Sequence, residues 1–236
     1  MALQTITTIK IGEIVITNFK HLKVNQKIHD HHSFSLEVRQ DLLVEELKSV
    51  MPFSQQLFGE KISIEIKPFP ELENLIIASN PNHYIMQFYG IVTKVKLQKS
   101  RTKDQEETIV IQGKSTSVIL DNAPESNSFT KMPIADIVSK IKSDYDIDMD
   151  VYPLYKNTIS YTVQYNESDF DFLNRLAMRN GEWFYYTGQK LVFGSSGGPK
   201  MPDLLYGVNM QDFRYDMKLM PSAFKILEND NRKGEY

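Results

Sequence analysis

Several stretches of this sequence carry side chains that could do chemistry. His29, His31 and His32 crowd into HDHHSF, and imidazoles so close together are raw material for a zinc site. A metal would need further ligands at defined spacing, and His21 and His83 stand far off in the sequence. Asp144, Asp146, Asp148 and Asp150 alternate through DYDIDMD, the rhythm of a calcium loop. Counted from Asp144, the position that needs glycine is Met149 and the one that needs a bidentate glutamate is Tyr155. The run therefore reads as a solvent-facing loop and strand edge. GSSGG at 194–198 has neither the lysine of a phosphate loop nor the order of a nucleophile elbow. Carboxylates are plentiful enough for a glycosidase pair, but nothing in the spacing places two across a cleft. Trp183, Phe184, Tyr185 and Tyr186 could stack on a sugar or peptide; alternating aromatics on a strand divide between core and surface. No catalytic, cofactor-binding or metal-binding residue is assigned, and no cofactor is implied.

The elements that would position these residues divide into two grammars. In the first half, Ile9, Ile11, Ile14 and Ile16, then Phe34, Leu36 and Val38, alternate with polar neighbours as half-buried strands do. Residues 41–50 break the alternation as a short helix or turn closed by Pro52, and Ile62, Ile64 and Ile66 restore it until Pro68. Residues 70–83 form a polar connection with a turn signal at Asn80-Pro81-Asn82. In 84–97, Met86 and Phe88 share one parity while Ile91, Val95 and Leu97 share the other. The phase change at Gly90 predicts a bulge, which suits a small closed barrel. Residues 98–108 are the charged loop of a long hairpin returning through Ile109, Val110 and Ile111.

Helical periods enter after residue 121. Residues 124–130 read as a polar linker, and Pro133 stands at the first helical position. Ile134, Ile137, Val138 and Ile141 then make one apolar helix face. In YTVQYNESDFDFLNRLAMRNGEWFYY (161–186), Ser168 is the N-cap, with Asp171 in a variant of the capping box. Phe170, Leu173, Leu176 and Ala177 form the apolar stripe, and Asn180-Gly181 is a left-handed stop. Asp171 and Arg175 have the spacing of a same-face ion pair. A β-α-β-β unit results, its last two strands joined around Thr187-Gly188 and followed by a flexible loop at 194–198. Leu204, Tyr206, Val208, Phe213 and Phe224 suggest further strands.

Composition excludes some classes. At 236 residues the chain can bury a sizeable core, and a net charge of −3 argues against a nucleic-acid surface. No run is long and apolar enough for a membrane span, and the first residues lack the apolar core of a signal peptide. With no cysteine, disulfides and thiolate metal sites are excluded, which fits maturation in the cytosol.

YNESDFDFLNRLAMRNGEWFYY resembles the signature segment of the VgrG family, the type VI secretion spike proteins related to phage baseplate hubs. Met178-Arg179-Asn180 replaces the acidic residues usual before the glycine. HDHHSFSLEV at 29–38, LFGEKISIEI at 57–66, the Phe88-Gly90-Val92 strand and FTKMPIADIVSKI at 129–141 resemble further landmarks of the family in the same order. The resemblance implies an α+β, mainly β fold: two phage-hub-like small β-barrels, the second incomplete, with an inserted α/β subdomain. It implies a first barrel over 1–120, an α/β part over 121–194 with helices near 133–142 and 168–179, and the start of the second barrel over 195–236.

By the same resemblance, the chain is a non-enzymatic hub that assembles as a homotrimer. It joins a hexameric Hcp-like tube protein to a trimeric spike, contacts needle and baseplate proteins, and carries secreted effectors. Assembly in the cytoplasm and delivery without a signal peptide, nucleic acid binding or stable membrane insertion complete that expectation. The valine–glycine needle repeats and effector domains of the family are missing from these residues, so the hub portion alone is expected. The rivals are a phage or phage-derived tail baseplate hub and, from another class, a carbohydrate- or peptide-binding β-barrel module.

Overall fold

The computed structural model describes residues 5–40, 50–68, 85–99, 107–121, 123–195, 210 and 212–218. Two compact units divide the chain, residues 1–200 and 201–236. In the first unit the strands are β1 (Thr5–Ile11), β2 (Ile14–Ile16), β3 (His21–Asn25) and β4 (Ser33–Arg39), followed by helix α1 (Val50–Leu57). Strands β5 (Lys61–Pro68), β6 (Met86–Lys99) and β7 (Glu107–Ser115) complete a seven-stranded antiparallel sheet in the order β2-β1-β5-β6-β7-β4-β3.

The alternating isoleucines explain the shape. Ile9, Ile11, Phe34, Leu36, Val38, Ile62, Ile64, Phe88, Val92, Ile109 and Ile111 are buried together, while their sequence neighbours are more exposed. A sheet that buries one face largely against itself must curl, and this one forms a half-barrel plugged by Leu57 of α1. Pro52 lies within α1 as its third residue instead of closing a helix. Residues 41–49, the whole of the 70–83 connection and the 100–106 part of the hairpin loop fall outside the described residues.

The bulge in β6 is real, but it is displaced from Gly90. Pairing with β5 is regular from Met86 to Ile91, and the register with β7 slips between Val92 and Lys94. Val92 therefore keeps the buried parity of Phe88, and the faces exchange at Thr93. Gly90 has a different reason to be glycine. A Cβ there would lie 2.5 Å from the Lys114 carbonyl oxygen and 2.8 Å from the Phe88 ring.

A 3-10 turn at Thr116–Leu120 leads into a second core. Its elements are β8 (Glu125–Pro133), α2 (Ile134–Lys142), β9 (Met149–Tyr152), β10 (Thr158–Glu167), α3 (Asp169–Asn180), β11 (Phe184–Tyr186) and β12 (Leu191–Gly194). The expected polar linker at 124–130 is thus a strand: β8 pairs antiparallel with β10. Its pattern hid it, because only Phe129 is buried, stacked on Phe172 at 5.4 Å. β9, β12 and β11 form a separate sheet in which β12 runs parallel to β9 and antiparallel to β11. Pro133 is the N-cap of α2, one residue earlier than expected, and Ile134, Ile137, Val138 and Ile141 are all buried.

Helix α3 follows its sequence closely. The Ser168 hydroxyl accepts from the Asp171 N–H at 3.1 Å, and Gly181 closes the helix at φ 67°. Arg175 departs from expectation, binding the Glu167 carboxylate and the Val163 carbonyl instead of Asp171. A register slip between Tyr165 and Glu167 precedes the last pair of the β10 ladder, Glu167 with Glu125, just before the helix begins. Gly194 belongs to β12, with 196–198 outside the described residues. In the second unit, residues 212–218 form no regular strand and Phe213 is exposed. Leu204, Tyr206, Val208, Phe224 and most of the 195–236 segment anticipated as a second barrel lie outside the described residues. The described fold is α+β and mainly β.

Candidate functional site

The histidine cluster turns out to be the seam between the two cores of the first unit. His29 sits at φ 60°, a backbone region that non-glycine residues occupy only when held there. Three hydrogen bonds hold it. Its N–H donates to the Phe184 carbonyl at 3.1 Å, its Nδ1 faces Asn174 Oδ1 at 2.8 Å, and Asn174 Nδ2 donates to its carbonyl at 3.1 Å. The start of the sheet's fourth strand is thereby tied to α3 and β11.

His31 stacks on Phe170 of α3 with ring centres 3.8 Å apart. Its Nε2 lies 2.9 Å from Asp121 Oδ2 and its Nδ1 lies 2.8 Å from Ser117 Oγ. A carboxylate only accepts, so Nε2 carries the proton and Nδ1 accepts from the Ser117 hydroxyl. Ser–His–Asp is the order of an acyl-transfer relay, yet Ser117 is fully buried and 2.7 Å from Ser115 Oγ. No substrate carbonyl can reach that oxygen, and the relay acts as a clasp on the 3-10 turn. Burial holds the His31 imidazole below its ordinary range, opposed by Asp121 and seconded by Lys114.

His32 is buried edge-on against Tyr186, with ring centres 5.5 Å apart. The Tyr186 hydroxyl accepts from Thr116 at 3.0 Å and faces the carbonyls of Tyr89 at 3.2 Å and Gln189 at 3.0 Å. Burial chiefly raises the Tyr186 pKa, keeping the phenol neutral. Beside it the Tyr89 N–H donates to the Gly188 carbonyl at 2.7 Å. Gly188, at φ 103°, must be glycine here because a Cβ would meet the Gln87 carbonyl oxygen at 2.1 Å.

The three histidines thus turn to three different partners. His21 is exposed on β3, His83 is outside the described residues, and among the described residues no three His, Asp or Glu side chains converge on one point. Asp144, Asp146 and Asp148 face solvent, whereas Asp150 pairs with Lys190 at 2.5 Å. A cleft of about 280 Å³ beside the seam is lined by Lys61, Tyr89, Thr116, Asp146, Asp148 and Gln189 among others. The Thr116 hydroxyl is engaged by Tyr186. Of the aromatic strand, Phe184 and Tyr186 are core residues and Trp183 is half-exposed, so the four rings form no continuous platform. Sequence reasoning missed Ser115, Ser117, Asp121, Asn174, Gly188 and Tyr186 as seam residues. The crowding at His29–His32 was the one local signal that pointed there.

A curled antiparallel sheet joined to a small α/β layer is the arrangement that comparison with solved structures picks up. The prophage MuSo2 43 kDa tail protein from Shewanella oneidensis has a similar fold, with TM-score 0.62 at 14% identity, covering 84% of this chain and 55% of that one. A tail protein from Neisseria meningitidis MC58 gives TM-score 0.57 at 14% identity, over 84% and 53% of the two chains. The E. coli c3393 protein, a component of the type VI secretion system with structural similarity to T4 bacteriophage tail proteins gp27 and gp5, gives TM-score 0.52 at 14% identity, over 78% and 48%. This chain spans about half the length of those proteins. Residues 27–222 match the phage tail baseplate hub (GPD) family, and the chain belongs to that family. No curated protein matches this chain. Among the described residues no helix is long and apolar enough to cross a membrane.

Proposed function

We propose that this chain is the hub portion of a contractile injection apparatus of the type VI secretion kind. It joins a hexameric, Hcp-like tube to a trimeric spike and passes force between them, as a homotrimer and without a reaction of its own. The hub is assembled in the cytoplasm, leaves the cell with the apparatus without a signal peptide, and meets baseplate proteins and secreted effectors through its assembled surfaces. Residues 1–120 serve as the first barrel-like tube domain, 121–194 as the α/β subdomain, and 195–236 begin a second barrel. The observation that carries this reading is the baseplate-hub family match over residues 27–222. The hydrogen-bonded seam supports it, because a force-bearing body needs its two cores to move together.

The test is light scattering on the full-length protein of the natural reading frame, alone and mixed with the tube protein. A mass of three chains that shifts on adding tube rings is expected. A single-chain mass at high concentration would overturn the assembly. The family match and the prophage likeness favour one second reading, a phage-derived tail hub. Valine–glycine-rich sequence after Tyr236 would point to the secretion spike, and adjoining tail-assembly genes to the phage particle.

A further inference from the structure

Two of the seam histidines respond differently to a proton. His31 already has a carboxylate on Nε2 and a serine hydroxyl on Nδ1 that can turn to accept, so it can take a charge in place. His32 has no such outlet. Its residue is 4% exposed, and among the described residues Nδ1 has no hydrogen-bonding partner. A second ring proton there would be a buried donor without an acceptor, on a charged ring set at right angles to Tyr186. We propose that His32 makes the seam an acid-released latch, which clasps the α/β layer to the sheet at neutral pH and lets it go in mildly acidic solution.

The latch follows from what His32 holds. Its backbone extends the β4–β7 pairing, with its N–H donating to Ser115 Oγ at 3.1 Å and its carbonyl accepting from the Ser115 N–H at 2.8 Å. Its ring reaches across to Tyr186, whose hydroxyl gathers Thr116 and the carbonyls of Tyr89 and Gln189. Expelling the ring removes the packing that fixes this tyrosine, and with it the junction of β6, β11 and the 187–190 turn.

Several groups face the ring. From its own segment the Lys27 carbonyl and the Asp30 carboxylate favour a proton and His31 opposes one. Ser115 lies beside it from β7, and Tyr186 from β11 brings a phenol that burial keeps neutral. Burial is the largest influence and holds the imidazole below its ordinary value of 6.5. A histidine with a depressed native pKa stabilises the latched state fully above the unfolded value. That stability is lost as pH falls below about 6.5, until the native pKa is reached. For a ring that stays neutral while latched, the equilibrium constant for latching falls by up to about thirtyfold between pH 7.5 and 5.0.

The experiment compares urea unfolding of the whole chain and of His32→Phe at pH 7.5 and 5.0; phenylalanine fills the slot and cannot charge. The wild type is expected to lose up to about thirtyfold more in its folding constant than the variant over that range. An equal loss in both proteins overturns the proposal. Should His32→Phe not fold, a proton NMR titration of the wild type decides. Titration of the His32 Cε1–H below 6.5, with the Tyr186 ring signals moving at the same midpoint, supports the latch. Titration at the ordinary value, or with Tyr186 unmoved, overturns it.

Discussion

Gly90 shows how a residue can be correctly singled out for the wrong reason. Its strand changes face, but the extra residue is Thr93, where the pairing with β7 slips. What forbids a side chain at Gly90 is the Lys114 carbonyl and the Phe88 ring, at 2.5 and 2.8 Å from any Cβ. Phe88 cannot retreat, being fully buried and edge-on to Phe34 at 5.8 Å. Gly90→Val should therefore destabilise the chain by about 1–3 kcal/mol through overpacking, seen as a lower urea midpoint at an unchanged slope. An unchanged midpoint would mean that β6 and β7 spread apart freely. The histidines teach a similar lesson. Their crowding was legible. Their partners were not, since Ser117, Asp121 and Asn174 stand 86, 90 and 145 residues away from the imidazoles they hold. Local spacing carries no record of such pairings.

Among the elements, α3 is the best read and its one misreading is informative. Ser168 caps it as its type and position dictate, and Ser168→Ala should cost about 1 kcal/mol in chemical unfolding. The ion pair was assigned by helical spacing alone, which cannot see that β10 ends beside the helix. Glu167 therefore takes Arg175, from a position less exposed than the arginine, 19% against 43%. Glu167→Gln should be the more destabilising change, while Asp171→Asn should stay within about 0.5 kcal/mol of wild type. The reverse order in urea midpoints would restore the same-helix pair. Strands with a buried parity, such as β4 and β5, and helices with a stripe, such as α2, were legible because burial writes a period into the sequence. β8 was not legible. It is held by its ladder to β10 and buries Phe129 alone, so a stretch of Glu, Ser and Asn reads as linker.

At the scale of the first unit, the question is whether two hydrophobic cores behave as one body. One core is built from residues 9–111 and the other from residues 120–193, each with its own buried cluster. Left to their own packing they would melt separately, as sub-global units do when few contacts cross between them. Here the crossing contacts are specific and at least partly buried: His29 with Asn174 and Phe184, His31 with Phe170, and Tyr186 with His32 and the Tyr89 carbonyl. If the chain transmits load as proposed, these contacts have to stay closed, because a hinge at this position would absorb the stroke. Calorimetry on residues 1–200 should accordingly give one transition at pH 7.5, with calorimetric and van't Hoff enthalpies in agreement. The double variant Asn174→Ala, Tyr186→Phe deletes seam hydrogen bonds while sparing most of both cores. It should split the transition in two, the α/β part melting apart from the sheet. A single transition that only shifts downward would mean that cohesion between the cores arises elsewhere, and that the histidine seam is decoration on an already rigid body.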